Sequence, residues 1–175
     1  MKKLAYVLTC TALLVAASEV HSDAAPADVH DLMKNIVAVQ TQVIWDVSNA
    51  AQDDQGNPDA SKMTAADWNK IIDAAGKVRQ ASQRLAKADH VVAAAPGVKI
   101  EGEGNAGVAG AKQVQAALEK NPAEFRARST ALVAAMEQII AAAKAKDPAK
   151  VFEVSGALDQ VCEDCHQKFW YPGQK

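Results

Sequence analysis

From Val29 to Val47 apolar side chains recur at mixed intervals of three and four: Val29, Leu32, Met33, Ile36, Val37, Val43, Ile44 and Val47. That spacing lines one face of an α-helix, and it predicts a helix over about 28–49 with Pro26 near its start. A second stripe of Trp68, Ile71, Ile72, Ala75, Val78, Leu85 and Ala86 runs toward Asp89. It is opened by Thr64-Ala65-Ala66-Asp67, a capping box in which hydroxyl and carboxylate satisfy free backbone N–H groups. Residues 111–120 suit a short helix. Asn121-Pro122 then reads as a cap followed by proline at the first helical position, and Phe125, Leu132, Val133, Met136, Ile139, Ile140 and Ala143 carry that helix over 122–146. Asp147-Pro148 repeats the device, and Val151, Phe152, Val154, Leu158 and Val161 form the last stripe. Four long helices of this kind predict an all-α chain folded as a four-helix bundle, antiparallel where the joins are short. No exact internal repeat is present.

The segments between the stripes are punctuated by turn formers. Asp53-Asp54-Gln55-Gly56-Asn57-Pro58 reads as a solvated loop; it lacks the complete acidic pattern and the distal glutamate of a calcium loop. The glycine-rich stretch from Pro96 to Gly110 has little periodicity and no G-x-x-x-x-G-K-[ST] frame, which argues against a phosphate cradle. Abundant alanine and an aromatic content of 5 % agree with helices over strands.

Residues 1–22 follow the plan of an export signal. Lys2 and Lys3 precede an apolar run from Leu4 to Ala17, and a polar segment ends at Val20-His21-Ser22, which predicts cleavage before Asp23. The run is shorter than the ~20 residues that cross a bilayer, so a retained anchor is the poorer reading and the mature chain is not expected to be membrane-embedded. A lipid on Cys10 is disfavoured because apolar sequence continues after it. Residues 23–175 then form one domain, exported to the periplasm. Losing the leader removes two lysines and one glutamate, which moves the net charge from −2 to −3. No basic patch with interleaved aromatics suggests nucleic acid.

Against this helical background stands Cys162-Glu163-Asp164-Cys165-His166. C-x-x-C-H is the attachment signature of c-type haem: two thiols add to the haem vinyl groups and the adjoining imidazole takes an axial position on iron. One helical turn brings both sulfurs to the same edge. Zinc would need two further ligands, and a redox dithiol expects a βαβ setting. A disulfide at this spacing would close a very small loop and stabilise little. After leader removal these two cysteines are the whole thiol inventory, as suits a covalent cofactor in an oxidising compartment.

A haem motif placed near the carboxyl end of an exported, four-helix chain resembles the class II cytochromes c, the cytochrome c′ and cytochrome c-556 family. Cys162 to Phe169 is similar to that family's C-x-x-C-H-x-x-aromatic, over a likeness extending from Asp28 to Phe169. The chain departs from the pattern at Trp170-Tyr171-Pro172, where the family usually has Arg or Lys after the aromatic. The resemblance implies one covalent haem c per chain near the C-terminal helix, with Cys162 and Cys165 as thioether links and His166 as the proximal metal ligand.

The resemblance also frames the sixth iron position. Cytochrome c′ proteins leave it open beneath an apolar first-helix residue and bind nitric oxide and similar small gases, whereas the c-556 branch supplies a methionine and carries electrons. Leu32-Met33-Lys34 resembles the Leu-Met-Lys of some c-556 sequences, which makes Met33 the candidate distal ligand; ordinary core packing is the competing reading. Ile36 is the residue that could cover an open site. His30 and His90 read as solvated, Met63 and Met136 as core, and Trp45 and Trp68 as packing aromatics. The expectation is a periplasmic mono-haem carrier of one electron, with a five-coordinate gas-binding protein as the alternative. It is expected to be no enzyme, because the first helix offers no polar group evidently aimed at iron. Redox proteins are the expected partners, the acidic surface of this chain docking to a basic patch on theirs, and the resemblance adds a possible homodimer formed through the early helices.

Overall fold

The computed structural model describes residues 26–172. The leader assigned to residues 1–22, with Cys10 inside it, lies outside the described residues. Helices account for 70 % of the structure, so the chain is all-α.

The first helix starts at α1 (Val29–Leu32), where the Asp28 carboxylate accepts the Asp31 N–H at 2.9 Å. It passes through a π-helical turn at Met33–Val37 into α2 (Ala38–Ala50). Then come α3 (Ala65–Lys87), the short α4 (Ala111–Lys120), α5 (Pro122–Lys144) and α6 (Pro148–Phe169). Sequence reasoning anticipated these bounds to within a few residues, but it did not anticipate the π turn. The Thr64–Asp67 capping box forms in both directions, and Asp147 caps α6 by accepting the Lys150 N–H at 2.9 Å.

Asn121 departs from expectation. Its side chain makes no cap bond to α5; instead Nδ2 donates to the Ala117 carbonyl at 3.0 Å. Pro122 already occupies the first helical position without an N–H, so the amide serves the free carbonyls at the end of α4 instead. The reversal from α5 to α6 places Lys146 at φ 55°. Lys146 N–H bonds to Ala143 O and Asp147 N–H to Ala142 O, which is a Schellman closure made with lysine where glycine is usual.

Packing explains the arrangement. α3 lies against α2 and α5, while α6 lies against α5 and α2, so the four elements close a ring around one core. The contact between α3 and α5 is the most extensive; alanines at 74, 75, 81, 135, 142 and 143 are all buried and allow the backbones to approach. Ile44, Ile71, Leu85, Met136, Ile139 and Leu158 fill the middle, each less than 2 % exposed.

The glycine-rich connection is ordered by its own bonds. Gly97, Gly102, Gly104 and Gly107 have φ between 70° and 102°, a region that side-chain-bearing residues avoid, which accounts for the composition of the stretch as a series of turns. The Glu103 carboxylate accepts the N–H groups of Ile100 and Ala111. Ahead of the loop, Val91–Val92 pairs in parallel with Ala27–Asp28, and Gln115 of α4 accepts the Ala93 N–H at 2.8 Å. This ties the start of the first helix to the loop.

Candidate functional site

On α6 the buried stripe of Val151, Val154 and Leu158 continues through Cys162 and Cys165 to Phe169. Intervals of three and four keep these residues on one side of a regular helix, so both thiols face the interior. Phe169 meets Phe125 of α5 edge-on at 5.5 Å, a contact worth about 0.5–1.5 kcal/mol beyond its buried area. Arg128 of α5 bridges to Asp164 at 3.1 Å and to Glu124 at 3.4 Å, and Lys168 joins Glu124 at 3.1 Å. These half-exposed pairs fasten α5 to the motif, although each contributes little stability.

Two apolar cavities of about 300 Å³ each adjoin this stripe. The first is lined by Met33, Val37, Thr41 and Trp45 from the first helix and by Val161, Cys162, Cys165 and His166 from α6, with Ser82, Leu85, Arg128 and Leu132 among the remainder. The second lies toward the end of α6, where Phe169, Trp170, Ile100 and Phe125 meet Val29, His30 and Lys34. Met33, Ala38, Cys165 and His166 line both. Both open partly to solvent, and paired apolar clefts of this size suit a flat organic group.

All four residues singled out by sequence therefore come together: Met33, Cys162, Cys165 and His166 share the first cavity. Ile36 lines neither cavity. The reason is the π turn, in which Ala38 N–H bonds to Met33 O, five residues back, so that Ala38 rather than Ile36 lies beside Met33 at the cavities. His30, expected in solvent, is half-buried at the second cavity. Met136 is wholly buried and Trp68 is 5 % exposed, both as core residues. Trp45 lines the first cavity and donates Nε1–H to the Ser155 carbonyl at 2.9 Å.

The chemistry of the donors fits haem attachment. Cys162 and Cys165 are free thiols; burial pushes the Cys165 thiol up to about 11 despite Arg128 nearby, and burial followed by Asp159 raises Cys162. Burial lowers the His166 imidazole below its ordinary value, against an upward pull from Glu163, which favours the neutral ring whose lone pair can bind a metal. Trp170 and Tyr171 stand edge-on to that ring at 5.0 and 5.9 Å. Trp170 in turn donates Nε1–H to Glu101 O at 3.0 Å and accepts Ala109 N–H at 2.7 Å, so the glycine-rich loop is strapped to the imidazole's neighbour. A surface notch of Asp159, Gln160, Cys162, Glu163 and His166 opens the motif's outer side.

Sequence reasoning missed Thr41, Ser82, Ser129 and Arg128 as lining residues. Thr41 had a signal: Val37, Thr41, Ile44 and Ser48 continue the buried stripe at intervals of four, three and four, and two of them are polar. Among the described residues no group of three or more His, Cys, Asp or Glu side chains is placed to hold a metal ion by itself. No helix among them is long and apolar enough to cross a membrane.

Residues 98–170 match the family model described as Cytochrome C′. The matched segment holds most of the glycine-rich loop, α4, α5 and α6 with the entire C-x-x-C-H motif, and the family implies a haem cofactor. The first helix, with Met33, lies outside it. No curated protein and no solved structure matches the chain.

Proposed function

We propose that this chain, whose resemblance to the class II c-type cytochromes is borne out by the Cytochrome C′ match, is a periplasmic mono-haem electron carrier built as a four-helix bundle. Cys162 and Cys165 form the thioether links, His166 is the proximal ligand and Met33 the distal one. The observation that carries the reading is that Met33 and His166, from different helices, line the same two apolar cavities together with Cys165. Bound there, haem supplies a one-electron iron couple, and a thioether ligand on iron raises its potential.

The residues around it do the rest. The apolar walls limit the access of water, Trp170 and Tyr171 brace the His166 ring, and the acidic Asp159 and Glu163 at the surface notch offer a docking face to a basic redox partner. Carriage rather than catalysis is favoured because no first-helix residue of the first cavity is ionisable, and Arg128 there is held by two carboxylates. Export through residues 1–22 is part of the same proposal.

The optical spectrum of ferrous holoprotein tests it. A six-coordinate low-spin spectrum that becomes high-spin in Met33→Ala is expected, with the potential falling by on the order of 0.1 V. A five-coordinate native spectrum that takes carbon monoxide without displacing a ligand rejects Met33 and establishes the gas-binding alternative. The small apolar Val37 and Ala38 beside Met33 favour that second reading by leaving room on the first-helix wall.

A further inference from the structure

Five polar side chains are buried among the described residues: Thr41, Ser48, Ser82, Ser129 and Ser155. The four serines each donate to a carbonyl of their own helix, at 2.7 to 3.1 Å. Thr41 is the exception. It is 4 % exposed, yet its Oγ1 has no hydrogen-bond partner, and the usual bond back to the carbonyl four residues earlier is not made. A buried hydroxyl left unpaired is costly, and such a group calls for a physical account.

The account lies in where Thr41 sits. It lines the first cavity from the same helix as Met33, while His166 enters from α6. The hydroxyl is free to turn its proton inward. Ser82 and Ser129 line the same cavity with their protons committed to Val78 and Phe125, so they can only accept. A haem carboxylate is poorly matched to this wall: its one cation, Arg128, already holds Glu124 and Asp164, whereas His30 and Lys34 line the other cavity.

We propose that Thr41 is the hydrogen-bond donor to a small exogenous ligand that takes the place of Met33 in this cavity on the first-helix side of the haem, a ligand whose free end carries a lone pair. The inference rests on the haem reading of the site. It gives the apolar cavity one polar spot, which stabilises a bound ligand with a terminal acceptor and does nothing for one without.

Azide is the probe. Ferric Met33→Ala holoprotein, in which the iron position assigned to Met33 is vacated, is titrated beside Met33→Ala/Thr41→Val, where valine keeps the shape and removes the hydroxyl. Loss of one hydrogen bond is expected to raise the azide dissociation constant about 3- to 10-fold and to shift the infrared stretch of bound azide, with Met33→Ala/Thr41→Ser retaining both. A dissociation constant unchanged within about twofold overturns the proposal. So does an equal loss in Met33→Ala/Ser82→Ala, which would mark a packing effect. Covalent haem is checked beforehand on a denaturing gel: its absence overturns the haem reading and this one with it, whereas an intact haem band with unaltered azide binding overturns Thr41 alone.

Discussion

Along α6 the chain stays in one regular helix from Pro148 to Phe169, whereas along the first helix the α-helical bonding is interrupted at Met33–Val37. Both walls face the same cavities, but they reach them differently. On α6, Leu158, Cys162, Cys165 and Phe169 follow the helical period, so local sequence alone determines which side chains turn inward. On the first helix a bond spanning five residues resets that period, and Met33 and Ala38 become the pair at the cavities. A π turn is poorer than regular helix and persists where packing favours it. Here Leu32 and Val37, 3 % and 6 % exposed, anchor the two sides of the turn in the core. On the proposed reading, covalent attachment would need only the regular wall, and what meets the iron's other face would depend on the irregular one.

The largest expected effect breaks the regular wall. Cys162→Ala/Cys165→Ala should abolish covalent haem completely, so that haem is extracted by acidic organic solvent and no haem band remains on a denaturing gel. Each single variant should keep one thioether and a shifted pyridine haemochrome band. Haem that stays covalently bound in the double variant would place the attachment elsewhere and end the comparison.

The second effect converts the irregular wall into a regular one. Asn35 is exposed, with its side chain bonded only within the helix to Asp31 at 2.8 Å. Deleting it allows the π turn to close as α-helix and rotates the preceding residues by about 100° relative to α2. Met33 should leave the cavities, and the holoprotein should acquire the Met33→Ala spectrum with its helical circular dichroism retained. Leu32 turns as well, so a stability loss of about 1–3 kcal/mol is expected in chemical denaturation. A spectrum identical to the parent's would mean that the turn has no part in holding Met33.

The same contrast explains what could be read from the chain. The α6 cap, its stripe and the motif are local signals, as is the Thr64–Asp67 box, and each appears where its residues predict it. Met33-Lys34-Asn35-Ile36-Val37 contains no proline or glycine to announce an irregular turn, so Ile36 looks like a cavity residue until the chain is folded. The pairing of Ala27–Asp28 with Val91–Val92 joins two-residue segments far apart in sequence, which no local pattern encodes. Asn121 serves the other helix because a cap signal suits either of two abutting helices, and Pro122 leaves the earlier one in need of the amide. Thr41 in isolation is an ordinary helical threonine; only the failure of its oxygen to find a partner sets it apart.

The smallest effect sharpens the comparison at the outer side of the regular wall. Tyr171 packs its ring against His166 and donates its hydroxyl to Glu163 at 2.5 Å, and that bond is the leading cause holding the Glu163 carboxyl below its ordinary value, ahead of Gln167. Tyr171→Phe keeps the ring and removes the bond, so Glu163 should titrate closer to 4.5, its ordinary value, as read from its carboxyl carbon in an NMR titration. The sign follows from linkage: a depressed carboxyl contributes stability above its unfolded value and loses it as pH falls through the folded one. In the variant less stability is present above that value, and the loss on acidification should be complete nearer to it. Because the carboxylate faces solvent, the change in stability at neutral pH should be small. The haem spectrum should be unaltered, since the ring bracing His166 is retained; a shifted spectrum would transfer the bracing role from the aromatic ring to the hydroxyl and its carboxylate.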